Sequence, residues 1–184
     1  MKNPFKAFDD FFIKLINKQM RSDFFDALFY HITNLGGVVS LVSLTFILIF
    51  LTKGIYREIG FKILMSLIFS GIIVQILKRV FTRNRPYWIL KNLNTFGIDL
   101  SDYSFPSGHS AASFSVAIIV LLNSPKIVGF AAVFLAILIA ISRVYLAVHY
   151  PTDVTAGVII GIISSLIIEY KIYPLIIIYI RSKF

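Results

Sequence analysis

Residues 127–153 read IVGFAAVFLAILIAISRVYLAVHYPTD. From Ile127 to Val148 the stretch is an almost unbroken apolar run, and a helix needs about 20 mostly apolar residues to cross a bilayer. Its one charged residue is Arg143, near the end, and His149 and Asp153 follow soon after. Ionisable groups at the end of such a run are expensive in hydrocarbon and mark a functional site by default.

The pattern recurs at Leu35–Thr52, Gly60–Leu77, Ser107–Leu122 and Val154–Tyr170. Together the runs predict an all-α integral membrane bundle of about five transmembrane helices over residues 35–180, in a single domain spanning 1–184. The last run continues through Leu175–Ile180, with Pro174 as a kink or a boundary. Short connections at 53–59 and 123–126 make neighbouring helices antiparallel. Gly71, Ala111, Ala112, Ala131, Ala132, Gly157 and Gly161 are small enough to let helix backbones approach. Composition agrees: 58% of residues are hydrophobic and 15% charged, against about 45–50% and 25% in soluble chains.

Residues 1–33 are different. Phe5, Phe8, Phe12, Leu15 and Ile16 recur at helical spacing, while Lys6, Asp9, Asp10, Lys14 and Lys18 fall mostly elsewhere. This predicts an N-terminal amphipathic helix lying in the membrane interface. Its charges leave no signal-peptide core. The net charge of +9 suits anionic headgroups. Nothing resembles a nucleic-acid module, so a nucleic-acid partner is not expected. The absence of cysteine excludes disulfides and thiol chemistry.

The long polar connection is 78–105, KRVFTRNRPYWILKNLNTFGIDLSDYSF, which holds the only Trp. Long loops in compact domains are usually functional or disordered. Lys78 and Arg85-Pro86 lie in it; Pro106-Ser107-Gly108-His109 opens the next apolar run; Ser142-Arg143, His149 and Asp153 close the run after that. One run leads away from this face and the next returns, so all three groups converge at one membrane face. Arg85 and Arg143 offer forked donors suited to phosphate oxygens, and Lys78 adds a point charge. Ser107 and Gly108 sit at a helix start, where free N–H groups and the helix dipole attract anions. His109 and His149 suit a nucleophile or a general acid. Asp153, four residues beyond His149, is within reach to orient its ring. By contrast Lys91, Asp99 and Asp102 read as solvated loop charges, His31 fits no motif, and Tyr87 with Trp88 reads as an aromatic anchor. Arg79, Arg83 and Lys91 suit a second phosphate or simple headgroup anchoring.

Taken together, Lys78 through Arg85-Pro86, Pro106 through His109, and Ser142-Arg143 through His149 to Asp153 resemble the type 2 phosphatidic acid phosphatase family. The resemblance implies a lipid phosphatase with residues 78–105 as its active-site loop. It implies that His149 is the nucleophile that becomes phosphorylated, that Asp153 holds it, and that His109 protonates the leaving oxygen and then assists water. Lys78, Arg85, Ser107, Gly108 and Arg143 would hold the phosphoryl oxygens. The family needs no metal or other cofactor, and the sequence has no carboxylate cluster of the kind that binds hard cations. The expected partners are the bilayer and a phosphorylated membrane lipid of undecaprenyl pyrophosphate or phosphatidylglycerophosphate type. The alternatives are lipid A 1-dephosphorylation or phosphate transfer between lipids, and, in a different class, a non-catalytic anion-binding or transport protein. Complete retention of His109, His149 and Asp153 speaks against the last. The resemblance also implies a bacterial inner membrane location with the site on the outer, periplasmic face. Membrane members commonly have six spans, so the usual first span is missing from the expected pattern. Oligomeric state is left open.

Overall fold

A computed structural model describes residues 5–183; the expected segment ends at 1–4 and 184 lie outside the described residues. Among the described residues every regular element is helical. Helix α1 (Lys6–Lys14) widens into a π-turn at Leu15–Gln19, and α2 (Asp23–Ile32) passes through a 3-10 turn at Thr33–Gly36 into α3 (Val38–Leu51). Then come α4 (Ile55–Phe81), the short α5 (Pro86–Ile89), α6 (Gly108–Asn123), α7 (Lys126–Tyr145) and α8 (Pro151–Ile167). A second π-turn at Ile168–Ile172 joins α8 to α9 (Tyr173–Lys183).

Among the described residues, three stretches, Ile55–Ile89, Lys126–Tyr145 and Pro151–Ile180, are long and apolar enough to cross a membrane, the first of them helical without a break only from Ile55 to Phe81. The pair α2 and α3 passes only together, bent by 51°. The expected run from Leu35 is therefore a single helix only from Val38 to Leu51, 14 residues, and needs α2 to reach the length of a crossing. Gly36 is wedged into the bundle, where an added Cβ would lie 2.5 Å from Ile139 Cγ2 and 2.7 Å from Ser113 Oγ, and the chain turns there. Helix α6, at 16 residues, is about 24 Å long. Pro174 lies at a boundary, in the first turn of α9. The wide turn at Ile168–Ile172 precedes it and loosens the ladder where proline cannot donate.

Helix α4 is polar inside and apolar outside. Lys62, Ser66, Ser70 and Lys78 are buried, while Ile68, Ile72, Ile76 and Val80 are exposed. In water this arrangement would be inverted; in lipid it is the expected one, because the hydrocarbon solvates the outer stripe. Inside, Ser115 Oγ donates to Ser70 Oγ at 3.0 Å and Ser66 Oγ lies 3.2 Å from Ser165 Oγ, joining α4, α6 and α8. At the end of α4 opposite Lys78, Lys62 pairs with Glu169 at 3.0 Å and Glu58 at 3.2 Å.

Helix α6 is central, packing on α4, α7 and α8. Its closest approach to α8 rests on Gly157 and Gly161, where an added Cβ would stand 2.4 Å from Ser107 O and 2.4 Å from Ala111 O respectively. Gly71, expected to serve likewise, faces open space with nothing within 4 Å. On α1 the sidedness is also unlike the expectation. Asp9, Ile13 and Asn17 face the protein and are buried, while Phe5, Phe8 and Phe11 are exposed. Asn17 Nδ2 donates to Tyr145 O at 2.7 Å and Asn94 O at 2.9 Å, so this helix is bonded to the bundle.

Overpacking in a filled core costs about 1–3 kcal/mol. Gly157→Val should therefore lower the thermal unfolding midpoint in detergent, whereas Gly71→Val should leave it unchanged within error. Equal midpoints for the two variants would contradict the packing described.

Candidate active site

Helices α4 and α7 both finish by turning the chain back over their own ends. Thr82 takes a left-handed conformation (φ 41°) and its N–H caps Lys78 O at 3.1 Å. Ala147 does the same (φ 55°), and the N–H groups of Val148 and His149 both reach Arg143 O, at 3.2 and 3.1 Å. A left-handed non-glycine residue costs about 1–2 kcal/mol, and here it folds His149 back beside Arg143. Helix α8 then starts at once. Asp153 Oδ2 accepts from Tyr150 N at 2.9 Å, and Ser107 N donates to Asp153 O at 3.0 Å, tying the starts of α6 and α8 together.

Lys78, Arg85, Ser107, Gly108, His109, Arg143, His149 and Asp153 are thereby brought to one end of the bundle. Arg85, 1% exposed, is the hub. Its Nη1 donates to Val148 O at 2.7 Å and to His149 Nε2 at 3.3 Å. A guanidinium has only donors, so Nε2 accepts and the imidazole carries its proton on Nδ1. That nitrogen lies 3.4 Å from Ser104 Oγ and 3.7 Å from Asp153 Oδ2, the latter longer than a hydrogen bond. Ser104 Oγ itself donates to Asp153 Oδ2 at 2.5 Å. Burial, with the nearby Arg143 and Arg85 charges and against the pull of Asp153, takes His149 down to about 4.

Arg143 is buried, donates from Nη1 to Thr33 Oγ1 at 2.7 Å, and has a buried Nε with no partner. His109, in the first turn of α6, lies beneath the α2–α3 bend, with Gly37 so placed that a Cβ there would be 3.8 Å from His109 Nε2. Ser107 caps α6, its Oγ accepting from Ser110 N at 3.4 Å. Beside Gly108 an added Cβ would meet only Val74 Cγ1, at 3.8 Å, so the backbone there is open to a close approach.

Asp102 is the main correction to the sequence reading. It is more than a solvated loop charge: though its side chain is half exposed, its carboxylate accepts from Lys78 Nζ and from Arg85 Nη2, both at 2.5 Å. Half-burial would raise its carboxyl, but the Lys78 and Arg85 charges outweigh that and hold it at about 2. Arg83 is another. It is neither a headgroup anchor nor a second phosphate ligand in this geometry, since it donates to Asp153 Oδ1 at 2.5 Å. Loop residues have no periodicity to place them, and nothing in the spacing of Asp102, Ser104 or Thr33 pointed to these contacts. His31 is exposed on α2 and lines an open apolar groove with Phe24, Ala27, Leu28, Ile32 and Leu35, which includes none of the motif residues.

The chain has counterparts among known proteins. The model of the PAP2 superfamily matches residues 59–176. The chain belongs to that superfamily. An undecaprenyl-diphosphatase of Sulfolobus acidocaldarius is 33% identical over 105 residues, 57% of this chain and 51% of its own length. The matched region thus spans about half the length of the first curated relatives. Two crystal structures are similar over most of the chain. One is Aquifex aeolicus LpxE, with TM-score 0.80, 30% identity and coverage of 88% of this chain and 94% of that one. The other is a transmembrane PAP2 type phosphatidylglycerolphosphate phosphatase from Bacillus subtilis, with TM-score 0.75, 26% identity and coverage of 91% and 86%. The likeness to it agrees with an integral membrane protein. Among the described residues no group of three His, Asp or Glu side chains could hold a metal ion.

The Asp102 bridge has a pH signature. Its carboxyl falls from about 3.9 unfolded to about 2 folded. The stability it contributes is complete above the unfolded value and is lost as pH falls through the folded one. In carbon-13 NMR of Asp-labelled protein, the Asp102 carboxyl should titrate near pH 2, and in Lys78→Met it should move upward. A wild-type midpoint near 4 would contradict the bridge.

Proposed function

We propose that the protein is a lipid phosphate hydrolase working through a phosphohistidine on His149. The observation that carries this reading is the polarity of the His149 ring. Nε2 is an acceptor aimed at Arg85 within a cluster of cations, and Nδ1 faces Asp153 and Ser104. A neutral imidazole with its lone pair turned toward anion-binding groups is an activated nucleophile.

In this reading a phosphoryl group displaces the Asp102 carboxylate and takes donors from Lys78, Arg85, Arg143, the Ser107 hydroxyl and the first-turn N–H groups of α6 at Gly108 and His109. The unpartnered Arg143 Nε supplies a donor ready for it. His149 Nε2 attacks the terminal phosphorus as its P–O bond to the ester oxygen of a monophosphate, or to the bridging oxygen of a diphosphate, breaks, and His109 gives the leaving oxygen its proton. Asp153 stabilises the resulting charge on His149. Water then attacks the phosphohistidine, giving its proton to His109, and inorganic phosphate leaves. None of these steps calls on a metal or cofactor.

The substrate is a phosphorylated membrane lipid of the undecaprenyl pyrophosphate or phosphatidylglycerophosphate type, in keeping with the names of the relatives. The groups gathered at the site grip phosphoryl oxygens and leave the lipid tail to the bilayer. The bundle counts five crossings when α2–α3 and the short α6 are each taken as one. Helix α1 lies in the interface with its phenylalanines toward lipid, and the site opens on the outer face of a bacterial inner membrane. A purely anion-binding protein would need the cations but neither His109 nor the His149–Asp153 pair.

General acid catalysis is worth about 10²–10⁴-fold. His109→Ala should lose activity in that range on phosphatidic acid, whose leaving group is an alkoxide, and recover part of it on p-nitrophenyl phosphate, whose leaving group needs no proton. His149→Ala should lose activity on both and trap no acid-labile covalent phosphate. Covalent phosphate in His149→Ala, or the reverse recovery pattern, would overturn the assignment.

A further inference from the structure

We infer that Asp9, on the N-terminal helix α1, is a positioning residue for the nucleophile, acting through Arg83 on Asp153; the inference rests on the phosphatase reading above. Asp9 lies outside the residues 59–176 matched by the superfamily, and it is 0% exposed. Its Oδ2 accepts from Arg83 Nη2 at 2.6 Å and from Thr152 Oγ1 at 2.7 Å, and its Oδ1 accepts from Thr152 N at 3.1 Å. Arg83 Nη1 donates in turn to Asp153 Oδ1 at 2.5 Å and to Thr152 Oγ1 at 2.8 Å. The guanidinium sits 4.1 Å over the Tyr150 ring, which fixes its plane.

A single guanidinium thus bridges two fully buried carboxylates, one from α1 and one behind His149. Buried charges are tolerated only when paired and hydrogen-bonded, so neither carboxylate can move without disturbing the other. The other oxygen of Asp153 is held by Ser104 Oγ and Tyr150 N. Asp153 is clamped from both sides, and Asp9 is the outer jaw. A helix anchored only for folding would have no need to place its buried carboxylate within one residue and one hydrogen bond of the group that orients His149. The opposite side of α1 exposes Phe5, Phe8 and Phe11. The seating of α1 on the bilayer is therefore linked mechanically to the aim of His149. The interfacial helix is part of the catalytic apparatus.

The test uses the full chain in detergent micelles with farnesyl diphosphate as the probe. Asp9→Asn should lower kcat at least tenfold with KM changed by less than twofold, because phosphate binding does not pass through Asp9. Arg83→Gln should do the same. The double variant should have the kcat of Arg83→Gln alone, since Asp9 acts through Arg83. Thr152→Val, a milder cut in the same network, should show the same split if Asp9→Asn folds poorly. Independently of turnover, the nitrogen-15 signal of His149 Nδ1 should shift in Asp9→Asn. A kcat within twofold of wild type, multiplicative losses in the double variant, or an unmoved His149 signal would each overturn the inference. Failure of the wild type to release phosphate from any lipid phosphate would instead overturn the functional reading, and the nitrogen-15 experiment would still decide the role of Asp9.

Discussion

Three cations are buried together at one end of an apolar bundle: Lys78, Arg85 and Arg143 are 5%, 1% and 3% exposed. Like charges in a low-dielectric setting repel strongly and are hard to desolvate, so the fold has to supply anions and acceptors around them. Asp102 bridges Lys78 and Arg85, backbone carbonyls at Val148 and Tyr103 take further donors, and Thr33 meets Arg143. The loop from 82 to 107 is wound over the bundle end largely by these contacts. In the proposed reading a phosphoryl group takes over the charges that Asp102 compensates and also meets Arg143 Nε.

The scaffold serves that cluster. Gly157 and Gly161 let α8 press against α6, which sets the Ser107–Asp153 backbone bond and so the spacing between the two histidine-bearing segments. The left-handed turn at Ala147 folds His149 under Arg143 rather than letting α7 continue. The polar stripe of α4, from Lys62 through Ser66 and Ser70 to Lys78, keeps that helix facing inward along its length, with Lys62 bound at one end and Lys78 at the other.

Much of this was legible in the residues and some was not. Apolar runs locate helices because hydrocarbon demands them, so helices appear close to the anticipated limits of four of the five runs, and three of these lie in stretches long and apolar enough to cross a membrane. The break at Gly36–Gly37 was missed because it depends on Ile139 and Ser113 crowding Gly36, a tertiary contact with no local signal. Motif spacing brought Lys78, Arg85, Ser107, Gly108, His109, Arg143, His149 and Asp153 to one end because helix connectivity alone forces it. The contacts of Asp102, Ser104, Arg83 and Asp9 were not legible for the converse reason. Their partners lie 24, 49, 70 and 143 residues away, and their own neighbourhoods look like ordinary solvated sequence. Asp9 was the most deceptive, since a carboxylate on an amphipathic helix ordinarily faces water.

The account turns on His149 Nε2 being the atom that meets phosphorus while the three cations meet its oxygens. The most direct measurement is an experimental structure of the protein with orthovanadate bound, since vanadate adopts the five-coordinate geometry of phosphoryl transfer. Vanadium should be bonded to His149 Nε2, with its oxygens on Lys78, Arg85, Arg143 and the first amides of α6, with His109 at the opposite apical oxygen and with the Asp102 carboxylate displaced. Vanadium bonded to His109, or an anion seated elsewhere while Asp102 still bridges Lys78 and Arg85, would contradict the account.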